Sequence, residues 1–361
     1  MKIKTELLKE LIGKAIQCVG NNKLIPITQL MGIESNKHRI RLTTTDATNY
    51  MYVMKELDNT DNDDEYFAVT VFADQFSKLI SKMTSEFTYL AIKDGNLEVK
   101  GNGTYTLELP LDEEGEVVKY PNPLANIKYK FSKSKIMIKD IKLMTDVMKP
   151  SIATTFELPA LTNYYVGETV ITANRNEMTS YDVKIADREV LMPLKLVDLL
   201  SIMENDIEYY IDDNIMVFHA DGITIYSKWD SDEVAEFPIM KLNELASTNF
   251  KSVCKVNKND FIALLERIAL FVGKYDSAVV RLYFEKDGIR VSNKDRMSNE
   301  LIEYKDSKKY KAYDCVISIS MLLEQLKAYQ KDIVEIHYNN PVSIKFVDDD
   351  ITQIIALIIE K

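Results

Sequence analysis

Cysteine is scarce: there are three in 361 residues, Cys18, Cys254 and Cys315, and no two are close enough to form a CxxC pair. That spacing excludes a disulfide framework and a thiolate zinc site, and the expectation is three buried thiols in a cytoplasmic protein. Histidine is as sparse. His38, His219 and His337 lie far apart, without the HxxxH or His-Cys spacing of a metal centre, so no metal ligand set is expected. No Walker loop or GxGxxG turn occurs, which removes the sequence basis for a nucleotide, and no cofactor is expected. No apolar run is long enough to cross a bilayer, because Lys, Asp or Glu interrupts each one. The opening MKIKTELLKELIGKAI alternates charge and leucine at helical spacing. It lacks the uncharged core and small-residue cleavage site of a secretion signal, so no membrane partner is expected. Two acidic clusters could suggest metal-dependent chemistry. Residues 58–65 (DNTDNDDE) lack the glycine of a calcium loop and read as a solvated hairpin loop. Asp348, Asp349 and Asp350 fall at an expected turn between strands. Neither carries a catalytic reading, and the chain is not expected to be an enzyme.

What is present is an internal repeat. Three segments read as an amphipathic helix followed by strand, polar turn and strand. The first helix covers 74–83, with Phe76, Leu79, Ile80 and Met83 on one face, and TYLAIKDGNLEV follows it, turning at Asp94-Gly95. The second covers 194–203 and leads into EYYIDDNIMVF; the third covers 320–330 and leads into VEIHYNNPVSIKF. In each, spacing of three and four gives way to alternation and turn residues. Three matching first halves lie between them, with helices at 6–19, 135–148 and 259–272 feeding strands in HRIRLTTTD, ETVITANRN and DGIRVSNKD. The spacing predicts three domains of similar length, 1–123, 124–246 and 247–361, each made of two helix-plus-strands halves. Boundaries are expected at the proline-containing segment 120–124 and the polar stretch 246–252.

The chain carries a net charge of -11, which by itself argues against a nucleic-acid partner. The charge is unevenly spread. Six helical windows (4–16, 76–83, 133–149, 195–203, 257–274 and 321–331) carry +8 together, so the remainder carries -19. If the helices share a surface, that surface is a basic stripe on an acidic body. The plainer account is that lysine forms helices well and sits wherever solvent allows.

The opening helix followed by NNKLIPITQL and a strand ending TTTD resembles the start of the bacterial DNA polymerase III β-subunit sliding clamps. FELPALTNYYVGETVITANRNEM, VVRLYFEKDGIRVSN and the ending QIIALIIEK resemble the corresponding clamp segments, in order along essentially the whole chain. The resemblance implies an α+β DNA clamp fold of three similar domains, each with two helices packed on antiparallel sheets, closing as a dimeric ring around duplex DNA. It implies a processivity factor whose partners are double-stranded DNA, a replicative DNA polymerase, a clamp loader and other proteins bearing clamp-binding motifs. The DNA-facing pore positions would be Lys23, Lys78, Lys82, Lys139, Lys142, Lys149 and Lys195. The dimer interface would use Tyr105 and Leu107 on an edge strand and Phe271 and Val272 at a helix end, although either pair could equally belong to its own domain's core. The partner-peptide cleft matches Phe156, Ala173, Met178, Pro238, Leu242, Ile355 and Leu357, with a more polar part at Arg175, Asn176, Met321, Ser343 and Ile359. Arg175 and Glu177 depart from the family pattern, which has a small residue and a basic one there. The chain also ends Glu360-Lys361 in place of a basic-apolar pair. The competing reading is a repeat-built scaffold that binds proteins and not DNA, supported by the net charge.

Overall fold

In this computed structural model the described residues are 1–57, 66–154, 158–272, 278–293 and 298–359. Seven helices occur among them: α1 (Thr5–Ala15), α2 (Ala73–Ser81), α3 (Ile138–Leu143), α4 (Leu194–Leu200), α5 (Ile239–Ala246), α6 (Lys258–Ala269) and α7 (Ile319–Ala328). All except α5 follow on a strand, directly or, for α3, after Met137, and each of those six leads into a run of three antiparallel strands. The sixfold helix-and-strands repeat expected from periodicity is therefore present, with one strand more per half than the pattern revealed. The junctions at α1, α2, α6 and α7 are abrupt because the residue before each of these helices keeps an extended backbone: Asn257 before α6 and Ser318 before α7 also cap it through their side-chain oxygens.

The amphipathic spacing does what it should. Leu8, Leu11, Ile12 and Ala15 of α1, Phe76 and Ile80 of α2, and Phe261, Leu264, Leu265 and Ile268 of α6 are buried, while the intervening lysines and acids face solvent. The helix expected at 135–148 is instead composite. Lys135 and Ile136 pair as a short strand with Glu208 and Ile207, and only then does α3 begin. It widens into a π-helical turn at Met144–Met148 and tightens to a 3-10 turn at Lys149–Ser151, where Pro150 removes a donor the α-helix would need. Helix α5 was not anticipated; it occupies the residues just before the expected 246–252 boundary.

The chain divides into two compact units, and neither coincides with a third of the sequence. The first comprises residues 1–138 and 198–230. It holds a four-stranded sheet (Lys2–Lys4, Phe87–Lys93, Asn96–Lys100, Thr104–Glu108 in spatial order) and an eight-stranded one. The latter is continuous because Asn49–Glu56 pairs with Ile223–Lys228, Val53 opposite Ile223 and Met51 opposite Ile225. Two hairpins turn on Asp-Gly, at Asp94-Gly95 and Asp221-Gly222, with positive φ at both residues of each pair. Gly222 is required twice over, since a Cβ there would lie 2.5 Å from the Met54 carbonyl oxygen.

The second unit comprises residues 139–197 and 231–361. Its nine-stranded sheet is continuous because Glu177–Tyr181 pairs with Ile351–Ala356, Met178 opposite Ile354 and Glu177 opposite Ile355. A four-stranded sheet runs Asn299–Glu303, Gly288–Asn293, Val279–Phe284, Tyr313–Ser318. Its main core joins α6, α7 and both sheets around Phe261, Phe284, Tyr338 and Phe346, with the Phe284 and Tyr338 rings stacked at 4.0 Å. No described helix is long and apolar enough to cross a membrane.

Candidate functional site

The helix surfaces hold the candidate nucleic-acid contacts. Lys23, Lys78, Lys82, Lys139, Lys142, Lys149 and Lys195 are all exposed. Their surroundings differ. Lys78 of α2 is held by Asp74, one turn earlier, at 2.7 Å. Lys9 and Lys14 of α1 are likewise held by Glu6 and Glu10, and Lys327 of α7 by Glu266 of α6 at 2.8 Å. Lys139 and Lys142 on α3 make no ion pair. The acid between them, Asp140, is turned inward, buried, and accepts a hydrogen bond of 2.8 Å from the Tyr181 hydroxyl. That contact, together with burial, raises the Tyr181 phenol well above the usual tyrosine range. Free positive charge on these helices is thus concentrated on α3 and near Lys23 and Lys82.

A second candidate site lies wholly within the second unit. It is a pocket of about 330 Å³ whose apolar wall includes Pro150, Ile152, Leu158, Leu161 and Met321, and whose polar wall includes Asn174, Arg175, Asn176, Glu177, Ser320 and Glu324. Of the residues expected in a cleft, Arg175, Asn176 and Met321 line this pocket directly. Ala173, Met178 and Leu242 belong to the cluster beneath it, with Leu161, Phe237 and Ile354. Ile355 is fully buried in the neighbouring core, and Met321 and Leu357 pack on that core from outside. The split has a simple cause: Ile354 and Ile355 are adjacent in one strand and their side chains leave on opposite faces. Ala173, Met178, Ser343 and Ile355 have almost no accessible surface. Pro238 stands at the start of α5, half-buried, and Ile359 is exposed. Phe156 lies outside the described residues, as does the acidic run 58–65.

Beneath the polar wall runs a buried hydrogen-bond network that the sequence did not reveal. Gln325 of α7, with no exposed surface, donates through Nε2 to Ser151 Oγ (2.8 Å) and to Glu177 Oε1 (3.2 Å). Ser151 and Thr179 share a hydroxyl hydrogen bond of 2.7 Å. Asn174 donates to Glu177 Oε2 at 3.1 Å, and its own carbonyl oxygen accepts from the backbone N–H groups of Asn176 and Glu177. Burial, the largest influence, raises the Glu177 carboxyl above its ordinary range; the two amide hydrogen bonds oppose the rise and the charge of Glu324 adds to it. The one available signal was spacing: Ser320, Met321 and Glu324 share a face of α7, with Gln325 turned beneath it.

The expected interface residues lie at two open sheet edges or beside one. Thr104–Glu108 ends its sheet, with Tyr105 partly exposed and Leu107 buried inside its own unit. Asn299–Glu303 ends another. Beyond α6, Leu270 and Phe271 are exposed, at 81% and 61%, and Val272 is half-buried. An apolar helix end this bare is unusual for a surface that meets only water. Among the described residues no group of histidine, cysteine and carboxylate side chains is arranged to hold a metal ion. Asp348 ends a strand and pairs with Lys331, which also binds Asp349.

No protein-family model matches the chain, and no curated protein matches it by sequence. Solved structures do. The DNA polymerase sliding clamp from Bacillus subtilis superposes with a TM-score of 0.85 at 17% identity, covering 100% of this chain and 99% of that one. The DNA polymerase III β chain from Streptococcus pneumoniae gives 0.84 at 15% identity, with 99% of each chain covered. The DNA polymerase III β subunit of Borrelia burgdorferi, solved in complex with a natural product, gives 0.83 at 16%, covering 100% of this chain and 99% of that one. The chain therefore has the α+β fold of the sliding clamps along its entire length.

Proposed function

We propose that the chain is one subunit of a DNA sliding clamp: two copies close head to tail into a ring around duplex DNA and tether a polymerase to it. The observation that carries this is a pairing rule. The third strand after α1 pairs with the third strand after α4, and the third strand after α3 pairs with the third after α7. Two third strands are left over, Thr104–Glu108 after α2 and Asn299–Glu303 after α6, and both are open edges. Continuing the rule, the edge after α6 of one copy meets the edge after α2 of the next, giving the same sheet joint three times per chain. A joint of this kind between identical chains is heterologous and must close into a ring or run on as a filament. Six helix-and-strands halves per chain, three joints to each, would favour a ring of two. Tyr105 and Leu107 would act on one side of that joint, and Leu270, Phe271 and Val272 on the other.

Inside such a ring the exposed helical lysines face phosphate, while the acidic remainder discourages binding elsewhere. A topological link needs little affinity per contact, so a net charge of -11 is compatible with encircling DNA. No step of chemistry is assigned to the chain; its role is to hold the polymerase, the clamp loader and other partners through the groove over Arg175, Asn176, Met321 and Leu357. A cytoplasmic location follows from that role. The test is retention on closed circular DNA after loading. Release when the circle is cut once is the expected result, and equal retention on circular and linear DNA would leave only the protein-binding scaffold.

A further inference from the structure

The geometry points to a basic anchor: the pocket in the second unit receives a lysine or arginine side chain of a partner peptide, held by the carboxylates of Glu177 and Glu324. This rests on the reading of that pocket as part of the partner groove, and it names the chemistry of the partner. The apolar wall, made by Ile152, Leu158, Leu161 and Met321, suits the methylene stem of a long cationic side chain whose head stays polar. The opposite wall carries two carboxylates against one cation, Arg175. Glu324 is exposed and makes neither an ion pair nor a hydrogen bond. Two nearby lysines are committed elsewhere: Lys327, the next lysine on α7, binds Glu266, and Lys331 binds Asp348 and Asp349. Glu177 is fixed in place by Asn174 and Gln325, so it presents a preorganised acceptor and loses little freedom on binding. Burial and the charge of Glu324 both disfavour its ionised form. A guanidinium or ammonium within reach of both groups removes their mutual repulsion and replaces it with charge-assisted hydrogen bonds.

The experiment uses the full chain and three acetylated, amidated peptides, Ala-X-Leu-Leu-Phe with X as Arg, Ala or Glu, measured by titration calorimetry. The arginine peptide is expected to bind about tenfold tighter than the alanine peptide, and the glutamate peptide most weakly. About 0.3 M salt should shrink that preference. Glu324→Gln, a surface change that should not disturb folding, is expected to reduce the ratio of arginine-peptide to alanine-peptide affinity by at least about threefold. Glu177→Gln should remove a similar share, and circular dichroism would report whether it folds; the Glu324→Gln result stands without it. Equal affinity for arginine and alanine peptides overturns the basic anchor and leaves the groove in place. Binding of none of the three overturns both the groove and the anchor. A persisting arginine preference in a protein that fails to stay on circular DNA would sink the ring and sustain the anchor.

Discussion

Gln325 shows how much one amide can organise. It is buried on α7 and ties that helix to Ser151 and Glu177, residues more than a hundred positions away in sequence. Replacing it with leucine takes one donor each from Ser151 and Glu177 at positions largely shielded from water, a loss of about 1–3 kcal/mol. Urea unfolding of Gln325→Leu should show a lower midpoint; an unchanged midpoint would mean that the network holds nothing together. Glu177 adds a pH signature. Its folded-state carboxyl is raised above the unfolded value, chiefly by burial. Its stabilising contribution is therefore fully present below the ordinary carboxylate range and is lost as pH rises through the raised folded value. Melting temperatures of the native chain and of Glu177→Gln, compared across pH 4 to 8, should diverge in the variant's favour as pH increases. A constant difference would contradict the raised carboxyl.

At the scale of elements, several helix lysines are answered locally while those of α3 are not. Asp74 sits a turn from Lys78, whereas Asp140 is drawn inward to Tyr181 and leaves Lys139 and Lys142 of α3 open. An ion pair on an exposed helix contributes little stability, but its carboxylate offsets the charge its lysine offers a phosphate. Lys139→Gln with Lys142→Gln should therefore lower the salt dependence of DNA association by up to about two counterions. Lys78→Gln should change it less, and strand lysines such as Lys93 and Lys100 least. Thermal stability should hardly move in any of these. Equal effects from α3 and strand lysines would show that the helices are not the DNA-facing surface.

At the scale of the whole molecule, the proposed ring would close through the open edges and the bare end of α6. Sedimentation at micromolar concentration should give a two-chain species. Changing Phe271 and Val272 together to aspartate places unpaired charge in the joint, at a cost of about 2–5 kcal/mol. The expected product is a folded monomer with unchanged circular dichroism. A dimer that survives both substitutions would move the joint away from α6.

What the sequence determined alone was local and periodic. Apolar spacing of three and four marked six of the seven helices, and Asp94-Gly95 marked its hairpin, because amphipathic burial and positive-φ turns are written in neighbouring residues. The strand, π-helical and 3-10 turns at the ends of the α3 segment escaped that reading, since a strand pair at Lys135–Ile136 and the ring of Pro150 overrode an otherwise helical pattern. So did α5, a short helix with no fully buried residue. The site was legible only in part. Arg175, Asn176 and Met321 line the pocket while Met178 and Ile355 are buried, a division that strand packing decides and the sequence pattern does not show. Only tertiary structure could pair Glu177 with Ile355, bring Gln325 to Ser151, or join the halves of the middle third to different sheets. Those contacts cross long stretches of chain, and no period in the sequence encodes which edge meets which.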